Sequence, residues 1–169
     1  EIFNSKSLGQ TNVSDLTNTV GKTNVINMMY VADSVKFQNI RLTFKVQSVD
    51  SGKAQTQVQK YEQVPYYLSR FIKKDSDLVE INENVVTKDG FHLVVKMFIV
   101  TKSCVSHLVL TQIREKAREL IKKECANITY ENFISNVVYS KIQQGLRNEL
   151  KKITPLKVFE FKKIEVLSS

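Results

Sequence analysis

The sequence predicts an α+β fold, with an antiparallel, partly barrel-like β-sheet in the N-terminal half, a helical C-terminal half, and a final strand returning to the sheet. Three observations carry that expectation. Between Val85 and Thr101 two apolar runs flank Asp89-Gly90, a pair that tolerates the positive φ angles of a type I′ hairpin turn. Beyond Thr101 the hydrophobic period lengthens from two residues to between three and four, which is helical. Beyond Thr154-Pro155 it shortens to two again. The 169 residues suffice for a single compact unit: mainly β with one helix over 1–101, basic and helical with a terminal strand over 102–169.

Residues 1–23 are rich in Asn, Thr and Ser, with Gly9 and Gly21, and read as extended chain and turns that need a partner surface. Val20-Gly21-Lys22-Thr23 ends like a phosphate-binding P-loop. Leu16 stands where that pattern needs its first glycine, so a nucleotide site is rejected. Asn24 to Val31 reads as a short strand. Phe37 to Val49 reads as a longer one, with Ile40, Leu42, Phe44 and Val46 on one parity and Asn39, Arg41, Thr43, Lys45 and Gln47 on the other. That polar face suits a phosphate backbone, and equally the wet side of an antiparallel sheet.

A turn at Asp50-Ser51-Gly52-Lys53 leads to a return strand, Ala54 to Gln59. Pro65 opens a helix with Leu68, Phe71 and Ile72 as its apolar stripe. Arg70, Lys73 and Lys74 fall in its last turns, where the helix dipole favours cations. Asp77 to Thr87 feeds the hairpin, whose second arm is apolar on both parities. That arm is expected to be central and covered on both faces.

The helical half opens with a long helix from about Val105 to Glu124, burying Leu110, Ile113, Ala117, Leu120, Ile121 and Cys125. Arg114, Arg118 and Lys122, spaced by four, form a cationic row beside this stripe. Glu115–Arg118 and Glu119–Lys122, each at i,i+3, are expected to neutralise part of it. A row bordering the core is held rigidly, as phosphate contact requires, although a solvated face has the same pattern. Thr129 is expected to cap a second helix, Tyr130 to Tyr139. A third, Lys141 to Lys152, stops before Thr154-Pro155, because the residue preceding proline avoids helical geometry. From Leu156 to Leu167, Phe159 and Phe161 share one parity while Ile164 and Val166 take the other, which predicts a bulge near Lys162-Lys163.

The net charge is +8, and it is uneven: +2 over residues 1–101 and +6 over 102–169. A basic half on a globular chain favours a polyanionic partner, nucleic acid being the commonest. No run approaches the 18 or so apolar residues of a membrane span, and the start is no signal peptide, so no membrane is expected. The start at Glu1 rather than Met leaves room for a leader or basic arm ahead of it. Cys104 and Cys125 lack CxxC spacing and a nearby His pair, which argues against a metal site or disulfide framework and fits a reducing cytosol. His92 lies in the hairpin and His107 at a helix start; no Ser-His-Asp order, glycine-rich cradle or His/Cys cluster appears. Asp75 and Asp77 lack a second acidic cluster with which to share a metal. The expectation is no enzyme, no catalytic residues, no metal and no cofactor.

Laid in order, the landmarks resemble a known family over nearly the whole chain. They are Phe3-Asn4 with Gly9-Gln10-Thr11, then Thr87-Lys88-Asp89-Gly90-Phe91 with its apolar second arm, Gln112-Ile113-Arg114-Glu115-Lys116, and Ile153-Thr154-Pro155-Leu156-Lys157-Val158-Phe159. In this order and at these separations the chain resembles the eS1 (S3Ae) family of archaeal and eukaryotic small-subunit ribosomal proteins. It departs where the family has Gly-Lys-Thr near the start, since Gln10 replaces the lysine, and where Ser103 to His107 replaces a more basic, aromatic segment. The family's basic N-terminal arm and acidic C-terminal tail have no counterpart in these residues.

The resemblance implies a structural part of the small ribosomal subunit in the cytoplasm. It implies a place on the platform near the messenger RNA exit, contacting small-subunit ribosomal RNA and neighbouring platform proteins, with mRNA and translation initiation factors as further partners. On that reading Lys6, Lys22, Arg41, Lys45, Lys102, Arg114, Arg118 and Lys122 are the expected RNA-facing residues. The alternative is a non-ribosomal basic scaffold that binds an acidic protein partner.

Overall fold

A computed structural model describes residues 7–10, 19–50 and 52–168, and the chain divides into two compact units, residues 1–62 and 63–169. The first unit contains β1 (Thr23–Asn27), a short helix α1 (Met28–Ala32), a single 3-10 turn at Val35–Phe37, β2 (Ile40–Asp50) and all but the last residue of β3 (Lys53–Gln63). β1 lies antiparallel to β2, with Thr23 opposite Lys45 and Asn27 opposite Arg41. The strand expected over Asn24 to Val31 ends early. Asn27 accepts a hydrogen bond from the Met29 N–H at 2.9 Å and so caps α1, which lets both Met28 and Val31 bury. β2 alternates as its pattern demands: Ile40, Leu42 and Phe44 are buried while Arg41, Lys45 and Gln47 are exposed. Gly52, at φ +78°, takes the left-handed conformation in the connection to β3.

The second unit contains α2 (Pro65–Ser69), β4 (Leu78–Val86), β5 (His92–Thr101), α3 (His107–Asn127), α4 (Tyr130–Val138), α5 (Lys141–Leu150) and β6 (Leu156–Ser168). Its strands run antiparallel in the order β6-β5-β4, so β5 is central, as expected. Leu93, Val95, Met97 and Ile99 of β5 are buried on one face, beside Val79, Ile81 and Val85 of β4 and Phe159, Phe161 and Ile164 of β6. α3 packs along β4 and α5 along β6, while Phe133 of α4 meets the Phe161 ring edge-on at 6.2 Å. Each fully buried Ile, Leu or Phe here contributes about 1.5–3 kcal/mol relative to exposure. The second face of β5 is covered only at one end. Phe98 and Val100 bury against Leu68 of α2 with Tyr67, Phe71 and Val158, whereas Val94 and Lys96 are half-buried.

The expected bulge in the last strand is present. Lys96 pairs with Lys163 and Met97 with Phe161, so Lys162 is the extra residue that lets Phe161 and Ile164 face the same core. Barrel-like closure is absent: the strands lie in open order in both units, and closure requires the first strand to pair with the last.

Three further expectations change at the turns. The Asp89-Gly90 turn is not type I′, because only Gly90 has positive φ, +84°. Its N–H donates to the Thr87 carbonyl at 3.0 Å and the Thr87 N–H donates to the Phe91 carbonyl at 3.1 Å, the pattern of a three-residue loop ending in a glycine bulge. Asp89, keeping a negative φ, aims its carboxylate at α4 and accepts the Tyr130 N–H at 3.0 Å. Thr129 was expected to cap α4, but its side chain makes no capping bond; the turn aspartate does the capping. The helix opened by Pro65 ends at Ser69, so Arg70, Lys73 and Lys74 lie beyond it and the dipole account of their charges fails.

Candidate nucleic-acid interface

Of the eight cations singled out by sequence, Lys6 lies outside the described residues and the other seven fall in both units. In the first unit Arg41 and Lys45 sit on the same exposed face of β2, four residues and therefore roughly 13 Å apart. The Lys22 carbonyl accepts the Val46 N–H at 3.0 Å, which extends the β1–β2 ladder and leaves its exposed side chain at the end of the ribbon. The side chains of Lys22, Arg41 and Lys45 make no hydrogen bond or ion pair among the described residues. All three are exposed.

In the second unit the row Arg114, Arg118, Lys122 forms on α3, but its charge is partly spent. Glu83 occupies a core-facing parity of β4, between Ile81 and Val85, and its side chain is only 15% exposed. It accepts from Arg118 Nε at 3.2 Å and from Lys122 Nζ at 2.8 Å. The pairs expected within the helix do not form. Glu119 binds Lys116 at 2.8 Å and Lys123 at 2.7 Å, and these bonds hold its carboxyl down to about 2. The physical reason is that Glu83, largely withdrawn from water, has a carboxylate that needs a counter-charge, and the helix cations beside it supply one. Arg114, half-buried, has no ion pair among the described residues and remains the row's unspent member. Lys102 is exposed in the β5–α3 loop, its backbone N–H donating to the Pro155 carbonyl at 3.0 Å.

α3 is thus fastened to β4 along its length. The Asp77 carboxylate accepts the Val105 N–H at 2.7 Å just before the helix, Glu83 holds the middle, and the Lys88 N–H donates to the Ile128 carbonyl at 3.3 Å just after it. Among the described residues no three His, Cys, Asp or Glu side chains group as a metal site, and no helix is long and apolar enough to cross a membrane.

Sequence reasoning missed two features. Glu83 reads as a surface residue, and only its odd parity with Val79, Ile81 and Val85 signals that it faces the helices. The other is Pro65-Tyr66-Tyr67-Leu68-Ser69-Arg70, where the Arg70 guanidinium lies 4.7 Å from the Tyr67 ring centre and 5.3 Å from that of Phe71. Two adjacent tyrosines three and four residues before an arginine were the available signal. Glu160 of β6 is partly buried, and this desolvation raises its carboxyl above the usual range, although Gln63 Nε2 donates to it at 3.1 Å and Arg147 opposes the shift.

The family model described as the Ribosomal S3Ae family matches residues 1–169. The small ribosomal subunit protein eS1 of Saccharolobus islandicus is 28% identical over 167 residues, covering 99% of this chain and 80% of the relative. That of Archaeoglobus fulgidus is 26% identical over 170 residues, 99% of this chain and 81% of the relative. That of Methanococcus vannielii is 28% identical over 165 residues, 98% of this chain and 75% of the relative.

Proposed function

The chain belongs to the ribosomal S3Ae family, and on that premise we propose that it is a structural constituent of the small ribosomal subunit, built into the platform near the messenger RNA exit. It binds small-subunit ribosomal RNA and neighbouring platform proteins and performs no catalysis. The observation that carries this reading is the family match over residues 1–169. Cations without an ion pair among the described residues support it: Arg41 and Lys45 on β2, Lys22 beside them, exposed Lys102 and half-buried Arg114 would displace counterions from phosphates. Folded RNA is recognised mainly by shape and by backbone and 2′-OH contacts, for which scattered cations on a rigid sheet and helix suffice.

The test is sedimentation of the tagged protein from its own cells through a sucrose gradient, with and without ribonuclease. Co-migration with the small subunit after a moderate-salt wash, abolished by ribonuclease, is expected. A discrete protein complex that survives ribonuclease overturns the reading in favour of the scaffold for an acidic partner. Within the subunit, the proposed neighbours include messenger RNA at the exit and docking initiation factors, which crosslinking to the same tagged protein identifies.

A further inference from the structure

We infer that the segment Tyr66 to Lys74 is a binding site for unpaired nucleotides, separate from the helix and strand cations that meet the phosphates of folded RNA. The inference rests on the RNA-binding reading above and adds to it a second ligand class. Three observations place the site. Tyr66 is 83% exposed, far more than any tyrosine needs for packing, on a short helix that Leu68, only 3% exposed, anchors in an apolar cluster with Phe98 and Val100. The Arg70 guanidinium lies against the rings of Tyr67 and Phe71, 4.7 and 5.3 Å from their centres, and makes no hydrogen bond or ion pair among the described residues. Lys73 and Lys74 follow in a turn clasped by the Ser76 hydroxyl, which accepts the Lys73 N–H at 3.1 Å and donates to its carbonyl at 2.9 Å. Both lysines are exposed and make no ion pair among the described residues.

Each feature matches what single-stranded RNA asks of a protein. A base stripped from a helix offers a π-face, and an anchored, solvent-facing tyrosine ring receives it without sequence preference. Tyr66 in α2 and Arg70 at its C-cap lie four residues apart, which keeps ring and guanidinium within one short segment. Contact with the two rings restrains the side chain beforehand, so its donors meet a phosphate with less further loss of side-chain freedom. Lys73 and Lys74 extend the positive track beyond it. Glu160 of β6, whose charge acts on Tyr67, is partly buried and accepts from Gln63 Nε2 at 3.1 Å. A duplex gains little here, because its bases are already stacked on one another.

Fluorescence anisotropy of the full chain with a labelled single-stranded oligo-U 12-mer, and with a blunt-ended duplex hairpin whose loop is replaced by a non-nucleotide linker, at equal phosphate number, tests the site. Tyr66→Ala and Arg70→Ala are each expected to weaken single-strand binding about tenfold, with hairpin binding within twofold of the parent. Tyr66→Phe, which keeps the ring, restores it. Circular dichroism confirms that the variants fold, as the exposure of Tyr66 predicts. Single-strand binding unchanged in Tyr66→Ala, or equal losses for both RNAs, overturns the inference while leaving RNA binding intact. A parent chain that binds neither RNA overturns the RNA-binding reading itself. Competition by polyglutamate that Tyr66→Ala relieves as strongly as single-strand binding assigns the surface to an acidic protein segment instead.

Discussion

Replacing Glu83 by Gln separates the two roles that the α3 cations combine. The carboxylate holds Arg118 at 3.2 Å and Lys122 at 2.8 Å from a position 15% exposed, while the two cations are 49% and 58% exposed. At an effective dielectric near 20, unit charges about 4 Å apart attract by ~4 kcal/mol before costs. Half-exposed partners, screening and the entropy of two long side chains reduce each such pair to between about 0.2 and 1 kcal/mol. Glu83→Gln is therefore expected to cost about 1 kcal/mol in all, and a chain of this length then melts roughly 2–4 °C lower. RNA binding should move the other way. Removing one negative charge releases two cations, and if the row faces phosphate, at least one further contact forms. The slope of log K against log salt then steepens by about 0.7–0.9, with tighter binding at low salt. Thermal unfolding by circular dichroism and a salt titration of affinity for a small-subunit rRNA fragment measure the two effects. A lower melting temperature with an unchanged salt slope would mean that Arg118 and Lys122 only dock the helix. No change in either quantity refutes the ion-pair reasoning altogether.

Asp89→Ala removes the acceptor for the Tyr130 N–H and should destabilise the chain by about 1 kcal/mol, whereas Asp89→Asn, which keeps an acceptor, should lose less; equal losses, seen by urea unfolding, would reject the capping role. Burial raises the Glu160 carboxyl above its ordinary value, so its charged form destabilises the fold at neutral pH and its contribution is most favourable below the unfolded glutamate range. Glu160→Gln should accordingly melt higher than the parent near pH 7, with the difference shrinking on acidification; a difference that grows towards low pH is incompatible with that sign. Burial also pushes the Cys125 thiol up to about 12, while Cys104 is exposed, so a thiol reagent at pH 8 should titrate one cysteine in the folded chain and two after denaturation.

Much of the fold was legible because the signals are local. Strict alternation in β2, the long stripe of Ile113, Ala117 and Ile121, and the parity break between Phe161 and Ile164 each report which side of an element is dry. What escaped depends on residues distant in sequence. Asp89 looks like an ordinary turn aspartate until the chain returns 41 residues later to present the Tyr130 N–H, and Thr129 is a good capping residue displaced by a better-placed carboxylate. The charge row on α3 was visible, but its counter-ion sits on a strand that no helical periodicity connects to it. Arg70 was read by its distance from a helix end, and the helix stopped one residue before it.

The three fastenings along α3 make strand and helix measure one another. From Asp77 to Lys88 the strand path takes 11 steps, about 36 Å at 3.3 Å each, and from Val105 to Ile128 the helix path takes 23 steps, about 35 Å at 1.5 Å each. Glu83 stands roughly 20 Å along the first path, and the midpoint of Arg118 and Lys122 roughly 22 Å along the second. A single residue added to α3 rotates everything beyond it by about 100°, and a seven-residue insertion that keeps the face overshoots the turn by about 10 Å. The length of this helix is thus locked to that of the first hairpin arm, and any change in one has to be matched by the other.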